Sequence, residues 1–97
     1  MNRTTILELL NQHRDEVQRR FGTKRLALFG SAARDELRDD SDVDILVEFS
    51  GPATFDGYMD LKFFLEELLG RSVDLVTKDA VKPRMRLIIE RDLIDVA

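Results

Sequence analysis

No cysteine occurs among the 97 residues. That absence excludes a disulfide scaffold and any zinc or iron–sulfur site built on thiolates. No apolar run approaches the roughly 18 residues a membrane span needs, so no membrane association is expected. The N-terminal stretch MNRTTILELLNQHRDE has neither the apolar core nor the small-residue cleavage site of a secretory signal, which makes the cytoplasm the simplest expectation. Internal repeats and low-complexity linkers are missing, and the length suits one small domain over residues 1–97. A basic surplus is missing too. The net charge of −4 argues against bulk nucleic-acid binding, which needs a positive surface to displace counterions.

What is present is a globular composition, 43% hydrophobic and 35% charged, with its charge unevenly spread. Residues 1–25 carry six basic and three acidic side chains, and residues 61–97 carry seven of each. Residues 35–60 carry nine acidic side chains against Arg38 alone. Like charges at that density repel, so they are either splayed into water or gathered around a cation.

Periodicity predicts alternating helices and strands. Thr5 with Glu8 reads as a capping box opening a helix whose stripe is Ile6, Leu9, Leu10, Val17 and Phe21, with His13 packed on its inner side and Gly22 as its stop. Arg25–Phe29 reads as a buried strand. Gly30-Ser31 breaks it, and residues 32–37 suit a short helix capped by Ser31. Arg38–Ser41 is a polar turn. Val43–Phe49 is the strongest strand, with Val43, Ile45, Val47 and Phe49 on one face and Asp44, Leu46 and Glu48 on the other. From Thr54 a helix turns Tyr58, Leu61, Phe64, Leu65, Leu68 and Leu69 inward and stops at Gly70, with Tyr58 and the Phe63-Phe64 pair filling the core or the edge of an interface. Ser72–Thr77 is a third strand. Asp79 is expected to cap a last helix with Pro83 in its first turn. That helix has an apolar face of Val81, Met85, Ile88 and Ile89 and a solvated face of Lys82, Arg84, Arg86 and Arg91. Leu93–Val96 suits an edge strand. The order points to an α/β sandwich on a small sheet.

Within that frame, Asp42 and Asp44 stand two residues apart at the start of a strand, on one face, with Cα atoms roughly 6.6–7 Å apart. Asp74 interrupts an apolar strand between Val73 and Leu75. Aspartate at a turn-to-strand junction is commonly just solvated, but aspartate inside an apolar strand is costly without a partner. If the two strands are neighbours, three carboxylates converge, and a hard divalent cation such as Mg²⁺ resolves their repulsion. A calcium loop of the EF-hand type starting at Asp40 fails, because its sixth and twelfth positions, glycine and glutamate in such loops, are Ile45 and Gly51.

Gly30-Ser31 lies at a strand-to-helix transition. Free N–H groups at the helix start, a glycine that admits close approach and the Ser31 hydroxyl together suit a phosphate. Arg34 projects from the same turn and could hold a further phosphate oxygen. A Gly-Ser turn alone is usually just a turn. The glycine-rich G-x-x-x-x-G-K-[ST] phosphate loop is absent, as is dinucleotide-binding glycine spacing.

Gly30-Ser31, ten residues, Asp42-Val-Asp44, and Asp74 one strand later resemble the signature of the polymerase-β-like nucleotidyltransferase superfamily. The string GSAARDELRDDSDVDILVEF is similar to the MNT group, its minimal members, and the resemblance spans roughly residues 22–90. It implies a small mixed β-sheet flanked by helices, the nucleotidyltransferase fold. It also implies that Gly30 and Ser31 hold a nucleoside triphosphate, ATP by family habit, with Arg34 near the cradle. Asp42, Asp44 and Asp74 would ligate two Mg²⁺ ions, and Asp74 would help activate an acceptor hydroxyl. MNT proteins adenylylate a tyrosine of a HEPN ribonuclease toxin, so the resemblance implies a HEPN-type partner, and the acidic segment beside the site would suit a basic one. Two alternatives stay open from the sequence. One is a non-catalytic antitoxin that masks its partner; the other is a small-molecule nucleotidyltransferase completed by a separate acceptor-binding subunit.

Overall fold

The computed structural model describes residues 1–96, so residue 97 of the expected domain lies outside the described residues. Helices α1 (Arg3–Gln12) and α2 (Arg14–Phe21) precede strand β1 (Thr23–Phe29), the single turn α3 (Gly30–Ala33) and strand β2 (Val43–Phe49). Helix α4 (Phe55–Leu69), strand β3 (Val73–Thr77), a 3₁₀ turn (Lys78–Ala80), helix α5 (Pro83–Asp92) and the short strand β4 (Ile94–Asp95) complete the order. The sheet runs β3-β2-β1-β4. β1 is antiparallel to β2 and β4, while β2 and β3 are parallel, so the sheet is mixed. A parallel pair needs a crossover, and α4 supplies it.

The alternation of β2 sets the two layers. Val43, Ile45 and Val47 face the main core with Ile6, Leu10, Val17, Leu61, Leu65 and Leu69, so α1, α2 and α4 cover that side. Leu46 faces the other way, with Ala27, Phe29 and Ile89, beneath α5. Asp44 shares this second, thinly covered face. The α4 boundaries follow their cues: the Thr54 hydroxyl accepts from the Gly57 N–H at 3.0 Å, and Gly70 closes the helix at φ +66°.

Three helix expectations need correction. The first helix is two. Asn2, not the Thr5/Glu8 pair, caps α1, accepting from the Thr5 N–H at 2.9 Å. The break falls at His13, whose Nδ1 lies 2.9 Å from the Leu9 carbonyl; the side chain takes the acceptor that the His13 N–H would use in a continuous helix. The ring remains half-buried against Phe64. The helix expected over residues 32–37 is instead α3, beginning at Gly30 with Phe29 as N-cap, and Ser31 lies inside it. Asp35, at φ +60°, ends it, because the Asp35 and Glu36 N–H groups turn back to the Ala32 and Ser31 carbonyls in a Schellman closure. Asp79 caps nothing. It sits in the 3₁₀ turn, and α5 starts at Pro83 because a residue before proline is driven out of the α region; Lys82 is extended at ψ 147°.

The face expected to bury α5 is also half open: Ile89 is buried and Val81, just ahead of the helix, packs against the same cluster, but Met85 is 39% and Ile88 54% exposed. Phe63 is exposed, whereas Phe64 packs on Phe21 and Tyr58 donates its hydroxyl hydrogen to the Leu75 carbonyl. Lys82, Arg84, Arg86 and Arg91 are all exposed, as a solvated face should be.

Candidate active site

Asp44 is the hub. The parallel register pairs it directly with Asp74, and partners in one register point to the same side of the sheet. Asp44 is half-buried, and that desolvation, followed by the charges of Asp74 and Asp42, pushes its carboxyl up to about 6. The nearby Arg34 charge works the other way. Asp42 and Asp74 are both exposed at the rim. No group of three acidic or histidine side chains among the described residues is drawn tightly enough to hold an ion as it stands.

Gly30 touches the hub from the neighbouring strand end. Phe29 pairs with Asp44, so Gly30 follows directly at the mouth of the site. A Cβ built on Gly30 would stand 2.2 Å from Asp44 Oδ2 and 3.1 Å from its Cγ, and the residue sits at φ +69°. Only glycine fits both constraints. The start of α3 therefore lies against a carboxylate. That arrangement suits a divalent cation with a phosphate beside it, since both the oxygen donors and the close-approach backbone are in place. Ser31 is half-buried in the same turn.

Arg34 is close but engaged elsewhere. Its guanidinium donates to Asp92 Oδ2 at 2.6 Å and to Glu36 Oε2 at 3.3 Å, rather than reaching over the cradle. Burial pushes Asp92 up, yet the hydrogen bonds from Arg91 and Arg34 outweigh it and hold the carboxyl below its ordinary value. Arg34 is raised first by Asp92 and then by Glu36. The expectation that Arg34 holds a phosphate thus meets a competing ion pair that ties α3 to α5.

Residues outside the sequence-derived set support the rim. Arg71 donates to the carbonyls of Arg38 and Ser41, at 3.1 Å for Ser41, and so holds the loop that delivers Asp42. The Val43 N–H donates to the Ser72 carbonyl at 3.0 Å, locking the same junction. Glu66 accepts from the Val73 N–H at 2.9 Å, one residue before Asp74, and that bond, with Lys62, holds its carboxyl below the usual value. The sequence signal for these was thin: an arginine after a helix-ending glycine, and a glutamate in the last turn of α4.

Comparison with known proteins agrees with the fold. A family model described as a nucleotidyltransferase domain matches residues 10–96. The protein adenylyltransferase MntA of Thermococcus cleftensis is 38% identical over 91 residues, covering 94% of this chain and 92% of that protein. A solved structure described as a candidate minimal nucleotidyltransferase superposes with a TM-score of 0.81 at 38% identity, covering 97% of this chain and 95% of that one. A chain from the complex of a tri-AMPylated Shewanella oneidensis HEPN toxin with its MNT antitoxin superposes with a TM-score of 0.68 at 18% identity, over 94% and 71% of the two chains, a likeness of fold.

Proposed function

Because this chain belongs to the nucleotidyltransferase domain family, we propose that it moves AMP from ATP onto a tyrosine hydroxyl of a HEPN-type toxin, in the cytoplasm where ATP is supplied. The observation that carries this reading is the contact of Gly30 with Asp44, itself paired with Asp74: a phosphate cradle abutting convergent carboxylates. The protein-directed part is supported by the adenylyltransferase relative, and the toxin by the AMPylated complex of like fold.

Asp42, Asp44 and Asp74 would hold Mg²⁺, two ions in our reading, which supply positive charge to the reacting phosphate and acidify the attacking hydroxyl. The chain's own groups do the rest. The N–H groups at the start of α3 and the Ser31 hydroxyl hold the triphosphate, and Gly30 keeps its backbone clear of side-chain bulk. Asp44, with its carboxyl near 6, is mostly ionised at neutral pH and therefore available as a ligand. Asp74, exposed at the rim, takes the proton of the tyrosine hydroxyl. The hydroxyl oxygen bonds to the α-phosphorus, the bond from that phosphorus to the bridging oxygen breaks, and pyrophosphate leaves. The products are the O-adenylylated tyrosine and pyrophosphate.

The test is incubation with a HEPN toxin, ATP and Mg²⁺, read by intact-protein mass spectrometry. The toxin should gain the mass of AMP. Asp42→Asn with Asp44→Asn should abolish that gain while circular dichroism stays native; transfer by the double variant at the unmodified rate would falsify the proposal. Toxin inhibited without any mass gain would favour a masking antitoxin instead.

A further inference from the structure

Helix α5 carries a pattern that belongs to a packed face, yet it points into solvent. Arg84, Leu87, Ile88 and Arg91 fall at i, i+3, i+4 and i+7, one stripe of a helix. Ile89 faces the sheet, and Leu87, two residues earlier, lies on the opposite side of the helix. Leu87 is 75% exposed and Ile88 54%, with Met85 beside them at 39%. Two adjacent large apolar side chains are thus bracketed by two arginines. Lys82, Arg84 and Arg86 enter none of the salt bridges among the described residues, whereas Arg91 pairs with Asp92 at 3.3 Å.

The setting of this stripe is what gives it meaning. α5 covers the same sheet face as Asp44, since Ile89 packs with Leu46, the next residue of β2 on that face. Asp92 joins the helix to the cradle turn through the 2.6 Å bond to Arg34. A molecule lying on the outer side of α5 therefore stands on the same side of the sheet as the site. Electrostatics narrows its nature. The chain is acidic overall, and the nine acids of residues 35–60 repel an acidic partner from that segment. The cationic end of α5 attracts it.

Resting on the adenylylation reading above, we propose that the Arg84/Leu87/Ile88/Arg91 stripe is the docking surface for the acceptor protein. It takes an apolar patch flanked by carboxylates on that protein and holds it beside the cradle. The acidic segment is left to cations rather than to a basic partner. Apolar anchors between charged flanks are the usual composition of an interface centre and its rim.

The experiment compares wild type, Leu87→Glu/Ile88→Glu and Arg84→Glu in the toxin-labelling assay, with circular dichroism and calorimetric titration of Mg²⁺–AMP-PNP. These side chains are exposed and glutamate is a good helix former, so the fold and nucleotide affinity should stay unchanged. KM for the toxin should rise about tenfold or more in both variants, the scale of removing an interface anchor, with kcat at saturating toxin preserved. Added salt should raise KM for wild type more than for the arginine variant, as screening predicts. KM values matching wild type would overturn the docking assignment while leaving the activity standing. A drop in sedimentation coefficient of the apolar variant without toxin would overturn it as well, assigning the stripe to a second copy of this chain. Wild type that labels no toxin sinks the proposed function, and the docking surface with it.

Discussion

Gly30 answers to two constraints at once, and each is separately measurable. Its φ of +69° disfavours any side chain, and a Cβ would meet Asp44 Oδ2 at 2.2 Å. Gly30→Ala should cost about 1–2 kcal/mol from backbone handedness alone. In a domain of this size that lowers the thermal midpoint by roughly 4–8 °C for each kcal/mol. The methyl group also drives the Asp44 carboxylate aside, so nucleotide transfer should fall far more than stability does. Scanning calorimetry together with the toxin-labelling rate checks this; a variant with lowered midpoint and intact rate would show that the contact is purely structural. Sequence alone offered Gly30 as a turn residue with room for a phosphate. Its contact with Asp44 depends on β1–β2 register, which no local spacing reveals. The role of Arg71 was hidden for a similar reason, since its carbonyl partners Arg38 and Ser41 lie 33 and 30 residues away.

At the scale of elements, strands were the more legible. β2 spans Val43–Phe49, as its alternation says, because one face is buried under three helices and a slip of one residue would invert it. Asp74 falls opposite Asp44, the one relation on which the convergence of carboxylates depended. Helix starts were less legible, because several capping residues compete and the geometry around His13 and Pro83 decides between them. Arg34 shows the same limit, for a residue in the right turn can be claimed by another element. Its bond to Asp92, whose side chain is only 6% exposed, sets the α3–α5 link against a phosphate contact. Asp92→Asn keeps the size and removes the charge. We expect it to bind Mg²⁺–AMP-PNP more tightly, through a released Arg34, and to exchange α5 amide hydrogens faster. Adding Arg34→Ala should cancel the gain in affinity. Unchanged affinity in Asp92→Asn would mean that Arg34 serves the α3–α5 link only.

Across the whole molecule, acidic repulsion concentrates at one end of the sheet, and cation binding and pH should both register it. Asp44 is the informative group, with a carboxyl raised from 3.8 to about 6 by burial first and then by Asp74 and Asp42. A folded-state value above the unfolded one means that the native protein holds the extra proton between those limits. Stability therefore falls as pH rises through that window, and the ionised group weighs against folding at pH 7. Asp95 acts oppositely: its bond from Arg25 lowers its carboxyl, so its contribution is present above the unfolded value and lost as pH falls through the folded one. Asp44→Asn removes the first effect and leaves the second. It should stabilise the fold at pH 7 by on the order of 1 kcal/mol after solvent screening, an advantage that shrinks toward pH 4. Mg²⁺ supplies the missing charge by another route. At about ten times its dissociation constant it should add roughly 1.4 kcal/mol to the wild type, by mass action. The Asn variant, lacking that carboxylate, should gain much less. Thermal midpoints recorded at pH 4, 5, 6 and 7, each with and without Mg²⁺, separate the two effects, and equal Mg²⁺ gains in both proteins would remove Asp44 from the cation site.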